Sequence, residues 1–491
     1  MKKEVLLIAG VVIAFLSHVQ AQLPSAGYRS NQQVFNIKEF GATGDSTTMD
    51  TRAIQSAIDA CTNNGGGVVW VPAGNYIIGT IRLKSNVTLS LDYGASLLGS
   101  TKIEDYDTDV RMAREGNVHC LIYAEDATNI TIEGLGVIDG RGTHLVFPRQ
   151  LENKDRIPRP RLMRMENCNN LKFSGVTYKR PAFWGIHLVD CTNVHFDAVT
   201  VRFRNNNYNN DGLDLDGCQN VLIENSDIVA GDDAICLKSS LNPCRNYTIR
   251  NCRVASNTSP LKFGTSSYGG FIDINVTNCY FYDSPMGAIK LELVDGGKME
   301  NVNISRIVME DVGNPIFIRL GGRGKSYLKG VSMDGYANVL GGKDGIPPGT
   351  VKNIRISDVK AEVTLETFER AKRSVYKGSM DESKWGKKDD LMATTGPIMI
   401  TGIPDHYVED VVLENVEISY PGGGTKEYAK NEVPEDILKY PEQFFFGVLP
   451  AWGAYIRHAK NIQFKNVKLT KRSDDEREMI VLDDVEGFVN D

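Results

Sequence analysis

Six stretches between Asn170 and Met309 read alike: NLKFSGVTY (170–178), NVHFDAVTV (193–201), NVLIENSDI (220–228), NYTIRNCRV (246–254), DINVTNCYF (273–281) and NVNISRIVM (301–309). Each opens on Asn or Asp, alternates apolar with polar positions, and ends on a second short apolar set. Their first residues are spaced 23, 27, 26, 27 and 28 apart. Alternation with period two means strands, because successive side chains of a strand point to opposite faces. Strands this short cannot each bury a face alone. Stacked as coils about 4.8 Å apart, they enclose one continuous core and satisfy each other's backbone groups. The expected fold is therefore all-β, a single-stranded right-handed parallel β-helix.

The pattern extends to Asn129 (NITIEGLGV) upstream and to Asn353 (NIRISDVKA), Asp410 (DVVLENVEI) and Asn461 (NIQFKNVKL) downstream. The late gaps of 52, 57 and 51 fit two coils each, or one coil and a long loop. Asn at one repeated turn suits a ladder of stacked side chains, since Asn tolerates left-handed backbone. The N-x-S/T sequences at Asn86, Asn129, Asn246, Asn275 and Asn303 follow from this repeat and are read as strand chemistry. A leucine-rich repeat lacks support, because its Leu spacing and repeated helix are missing. Apolar residues Ala53, Ile54, Ala57, Ile58 and Cys61 share a helical face, which predicts a helix over Thr51–Asn63 with Asp50 or Thr51 as N-cap and Gly65 as stop. It should close the N-terminal end of the solenoid within a cap of roughly residues 35–80 and so shield the first edge. Phe368–Gly396 and Pro421–Gln443 read as long loops that wall a groove.

The chain of 491 residues carries 62 acidic and 55 basic side chains, with no basic cluster, which argues against a nucleic-acid partner. Lys2 and Lys3, the apolar run Val5–Leu16 and Ala21 read as a cleaved export signal over residues 1–21. An extension over 22–34 and one β-helix domain over 35–491 would follow. The apolar run is short for a membrane span. A monomeric protein exported to the periplasm or the medium, without membrane insertion, is expected. The nine Cys residues form no C-x-x-C pair, so they are read as small buried apolar residues and not as metal ligands.

Aligning the coils on Ile186/Leu188, Leu213/Leu215, Ile235/Leu237, Leu261/Phe263 and Ile289/Leu291 puts His187, Asp214, Cys236, Lys262 and Lys290 in one outward column. Trp184, Asp211 and Asp233 stand two positions before their pairs, with Asp232 beside Asp233. Asp211 would point inward under strict alternation, so Gly212 and Gly231 are expected to break the phase. Three carboxylates crowded on neighbouring coils cannot all ionise freely, and one should hold its proton. A protonated acid beside ionised carboxylates is what hydrolysis of a glycosidic bond needs. Lysines on the same exposed face would hold an anionic sugar. The alternative is a set of turn residues beside a solvated basic face.

The strings N-N-D-G-L-D (Asn209–Asp214) and G-D-D (Gly231–Asp233) resemble the Asn-Thr-Asp and Gly-Asp-Asp motifs of glycoside hydrolase family 28, the polygalacturonase and pectin-degrading family with a pectin-lyase-like β-helix. The F-G-A-x-G-D opening (Phe40–Asp45) and G-G-G-V-V-x-V-P-x-G (Gly65–Gly74) extend the resemblance over nearly the whole chain. It implies Asp232 as general acid, Asp211 and Asp233 as the pair that holds and activates water, inversion at the anomeric carbon, and no metal or cofactor. It implies an acidic plant cell-wall polysaccharide or oligosaccharide as partner, met by Asn209, Trp184, His187, Lys262, Tyr268, Lys290 and Arg319. Two departures stand out. Thr258-Ser259-Pro260 occupies the place of the family's Gly-His-Gly, and Ala288-Ile289-Lys290 keeps the Lys of Arg-Ile-Lys but not the Arg. Both point away from plain endo-hydrolysis of homogalacturonan and towards another pectic linkage, such as that of rhamnogalacturonan, or towards chain ends. Arg323 is a further replacement contact. His406, Arg457 and His458 read as turn-fixing. A calcium-dependent pectate lyase and a non-catalytic polysaccharide-binding β-helix are the competing readings.

Overall fold

The computed structural model of the chain describes residues 32–111, 115–148, 158–204, 207–325, 346–365 and 388–491. The expected export signal lies outside the described residues, as does most of the expected loop Phe368–Gly396. Described structure includes the strand Val34–Asn36, from which the β-helix winds to Val489–Asn490. Among the described residues, every strand ladder is parallel; each middle coil holds three short strands, one on each face, and from Phe271 onward two faces of a coil run together in one long strand. A right-handed parallel β-helix is thus what the alternation requires: inward residues of three sheets meet in one apolar column, and polar residues face out.

The sheet that positions the site runs through Cys120–Glu125, Arg161–Glu166, Ile186–Val189, Leu213–Asp216, Ile235–Ser239, Leu261–Ser267, Ile289–Leu293, Ile316–Leu320 and Ile398–Thr401. It continues through the first part of Ala451–Lys471 to Glu478–Glu486. Ile186, Leu213, Ile235, Leu261, Ile289 and Ile316 stack in register down its inner face and are fully buried. Phe173 and Phe196 stack at 4.4 Å on another inner face. In the later coils Val302 pairs with Ile354, Ile354 with Val411, and Val411 with Ile462. Each long gap in the repeat is therefore one coil carrying an excursion, not two coils.

The expected asparagine ladder is present. Asn170 donates to Asn129 at 2.6 Å, Asn220 to Asn193 at 3.0 Å and Asn246 to Asn220 at 2.9 Å. All five anchors adopt left-handed backbone with φ between 55° and 59°. A second ladder, not expected from the repeat, joins Asn278 to Asn251 at 2.8 Å and Asn251 to Asn225 at 3.3 Å. The nine cysteines are buried and free of disulfides. Their role is packing: Cys218 and Cys244, for example, place Sγ against backbone carbonyls of the preceding coil.

The helix Thr51–Asn63 buries Ile54, Ala57, Ile58 and Cys61 in the main core, as the sequence predicts. Its capping differs. The Asp50 carboxylate does not cap the helix; it accepts from the backbone N–H groups of Thr43 at 2.7 Å and Gly44 at 3.0 Å, pinning the preceding turn. Gly65 supplies the stop, with φ of 91° and its N–H donating to the Thr62 carbonyl at 2.9 Å.

Candidate active site

The outward column forms as aligned. His187 pairs in register with Asp214, Asp214 with Cys236, Cys236 with Lys262, and Lys262 with Lys290. Asp211 and Asp233 lie ahead of their strands, which begin at Leu213 and Ile235, so alternation does not bind them. Gly212 and Gly231 are not phase breakers with left-handed backbone. Gly212 is needed for close approach: a Cβ there would fall 2.4 Å from the Ala234 carbonyl of the next coil. The turns stack through their backbones, Gly185 N–H to Asp211 carbonyl at 2.9 Å and Gly212 N–H to Asp233 carbonyl at 2.8 Å. That stacking sets Asp211 and Asp233 on consecutive coils one above the other.

Asn210 completes the scaffold and was not singled out by the sequence. Its amide donates to the Pro181 and Phe183 carbonyls at 3.0 and 3.1 Å, and its own carbonyl accepts from the N–H groups of Gly231 and Asp232 at 3.0 and 3.2 Å. Asn209, in left-handed backbone with φ of 53°, accepts from the Arg159 guanidinium at 2.9 Å. It holds the turn that carries Asp211.

The structure brings Asp211, Asp232 and Asp233 together: one carboxylate oxygen of each lies within 4.8 Å of the others. Asp211 and Asp233 are 4% and 6% exposed, and Asp232 is the more open of the three. Burial and the neighbouring Asp233 charge push the Asp232 carboxyl up to about 7, against the pull of Lys262. Burial, Asp214 and Asp232 raise Asp211 well above the usual carboxylate range. Asp214, fully buried, is pushed up to about 7 by burial, partly offset by Lys238 at 3.5 Å. Thr258 stands over the trio, its hydroxyl 2.7 Å from Asp233 Oδ1 and 3.3 Å from Asp232 Oδ1. Next to it Ser259 is fully buried. The arrangement can keep one carboxyl protonated while others accept hydrogen bonds from water, which is acid–base chemistry at one point.

Other expected contacts are corrected. Lys262 and Lys290 do not lie on an exposed face. Both are buried beneath the segment Lys439–Gln443, and Glu442 places one oxygen on each: Lys262 Nζ donates to Oε1 at 2.6 Å, and Lys290 Nζ donates to Oε2. Arg319 does not stand on an open face. It is buried, donates to the carbonyls of Gly402 at 3.0 Å and Glu435 at 2.8 Å, and so anchors the late loop. Trp184 and His187 stand edge to face at 5.0 Å but are almost closed to solvent, with Lys238 4.5 Å over the indole, so they form the wall behind Asp214. Tyr268 is half-buried in the turn after Leu261–Ser267, and no contact with the trio is formed by it among the described residues. Arg323 is committed to Asp295 through two hydrogen bonds of 2.7 and 2.5 Å.

Sequence reasoning missed Glu442, Tyr440, Glu115, Lys238 and Glu292. Lys238 and Glu292 lie on the strands of the aligned column, two residues beyond Cys236 and Lys290, and extending the alignment by one pleat would have found them. Glu115 accepts from Ser266 at 3.1 Å and Lys325 at 3.2 Å. Like Glu442 it comes from a loop, where no periodicity signals its place.

A family model for glycosyl hydrolases family 28 matches residues 61–331. The chain is 28% identical over 297 residues to a Vitis vinifera protein named "Probable polygalacturonase", covering 56% of this chain and 60% of that one. It is 27% identical over 315 residues to the exo-poly-alpha-D-galacturonosidase of Dickeya chrysanthemi, covering 52% and 51%. The chain thus spans between half and three fifths of the length of these curated relatives. Among solved structures, the family 28 exopolygalacturonase of Yersinia enterocolitica superposes with a TM-score of 0.68 at 21% identity, over 93% of this chain and 78% of its own. The hyperthermoactive exopolygalacturonase of Thermotoga maritima gives 0.66 at 20% identity, over 90% and 92%. At these identities the likeness is one of fold.

Proposed function

The chain belongs to glycosyl hydrolases family 28, and on that premise we propose that it hydrolyses galacturonate-containing glycosidic bonds of pectic polysaccharides. The observation that carries the reading is the convergence of Asp211, Asp232 and Asp233 within 4.8 Å, with the most open of them, Asp232, holding its proton up to about 7. Asp232 then protonates the leaving glycosidic oxygen. Two carboxylate oxygens less than 4.8 Å apart can be bridged by one water that donates to both at about 2.8 Å. Asp211 and Asp233 are assigned to hold that water, and Asp233, with the Thr258 hydroxyl and Lys262 against it, to take its proton.

Asp232→Asn keeps the shape and removes the acid. Its kcat should fall about a thousandfold or more with KM little changed, which is the upper range for loss of a general acid. Release of reducing sugar at the parent rate by that variant would overturn the assignment. Inversion is the course the family resemblance implies. The short spacing favours retention as a second reading, because inverting carboxylates usually stand about 6.5–9.5 Å apart. The anomer first formed, followed by proton NMR, decides between them.

A chain-end mode is the finer proposal. Three of the four similar proteins named above carry exo activity in their names, and the trio lies in a nearly closed site, with Asp214 sealed and the segments of Glu115 and Lys325 paired beside it. Products should then be short and uniform from the first turnover. An exported protein, as the N-terminal segment suggests, would meet such polymers directly.

A further inference from the structure

The basic side chains described around the trio all have partners. Lys238 lies 3.5 Å from Asp214, Lys325 3.2 Å from Glu115, and Arg323 is bound twice by Asp295. Lys262 and Lys290 share Glu442, with Asp233 at 3.4 Å and Glu292 at 3.8 Å from Lys262. Glu442 therefore takes the place that a sugar carboxylate would need. A carboxylate brought in beside these lysines would lose its water and find no cation free to replace it, which is costly. An uncharged sugar meets no such cost. The same segment offers it a surface. Tyr440 directs its hydroxyl towards Lys262 at 3.4 Å, with Lys262 and Arg323 5.4 and 5.9 Å from its ring centroid, yet the residue is 46% exposed. Ile437 and Leu438 extend this exposed apolar surface. An aromatic ring with an open face and a tethered polar end suits the apolar face of a pyranose.

We propose that the sugar bound on the Lys262–Lys290 side of the trio is neutral, that Glu442 is the specificity-determining residue that excludes a uronate there, and that Tyr440 provides the stacking face. The inference rests on the hydrolytic reading of the trio, and the experiment separates the two. The full chain and its E442Q variant are assayed on galacturonate oligomers and on rhamnogalacturonan I oligomers of equal length, in which neutral sugars alternate with galacturonate. The parent should prefer the mixed oligomer. E442Q, which frees one positive charge, should move the ratio of kcat/KM towards the galacturonate oligomer by about tenfold or more, mainly through KM, as expected when a buried charge gains a partner. A ratio unchanged in a folded E442Q, or a parent that prefers the galacturonate oligomer, would overturn the proposal. Should E442Q fail to fold, Y440A serves instead: KM should rise for the mixed oligomer alone, and an equal rise on both would count against the stacking face. Binding to D232N repeats the comparison without turnover, so a site that discriminates as stated but does not cut sinks only the hydrolytic reading.

Discussion

Thr258 stands one residue before Ser259, where the resemblance leads one to look for a histidine, and its hydroxyl serves two carboxylates at once. The 2.7 Å contact to Asp233 is the stronger of the two, and the 3.3 Å contact to Asp232 the weaker. Asp232 is protonated below about 7, so activity should fall as pH rises through that value. Thr258→Val keeps the shape and removes the donor. Asp233 then loses its side-chain hydrogen bond, so the carboxylate assigned to the water is no longer held in place. The alkaline limb should stay near 7, and the maximum should drop by about tenfold or more, the worth of one hydrogen bond to a charged group. Measuring kcat/KM from acid to alkaline pH in both proteins checks this, and a valine variant with the parent maximum would remove Thr258 from the mechanism.

The loop that carries Tyr440 and Glu442 is held at its base by two arginines, Arg319, which reads in sequence as a substrate contact, and Arg457, which reads as turn-fixing. Arg319 donates to the Glu435 and Gly402 carbonyls and lies 5.1 Å over the Phe446 ring; Arg457 donates to the carbonyls of Val433 and Pro434 at 2.7 and 2.8 Å. Arg319→Met retains bulk but leaves buried carbonyls without donors. It should cost about 2 kcal/mol or more and loosen the loop before the solenoid. Limited proteolysis should then cut within residues 421–446 faster than in the parent, with the coils intact; equal protection would show that the loop stands without this anchor. The difference between column and loop explains what was legible. His187, Asp214, Cys236, Lys262 and Lys290 could be aligned because each coil repeats the same apolar pair, so register follows from spacing. Glu442 is 152 residues from Lys290, and nothing periodic connects them. The burial of the lysines is likewise invisible from the strands alone, since another element covers them.

Across the whole molecule, the solenoid gathers buried acids that differ in how they are matched, and this gives stability a pH dependence of known sign. Burial raises Asp214 and Asp232 to about 7 and Glu292 to about 8, the nearby cations only partly offsetting it. Each holds its proton more tightly in the fold than in the unfolded chain. Their contribution is complete below about pH 4 and is lost as pH rises through 7 to 8. Asp214 and Glu292 are fully buried and dominate; Asp232, partly open to water, counts for less. Glu442 and Glu115 act in the opposite sense. Burial opposes their charge, but the lysines outweigh it and bring both down to about 2. Their contribution is present above about pH 4.5 and is lost as pH falls towards 2. The two sets together place the most stable pH near 5, with a loss of a few kcal/mol on the way to pH 8. Scanning calorimetry from pH 3 to 8.5 should show the thermal midpoint passing through a maximum near pH 5 and declining above it. A midpoint that stays level or climbs between pH 5 and 8 would mean that these carboxyls are not held protonated by burial, and the proton assigned to Asp232 would lose its physical basis.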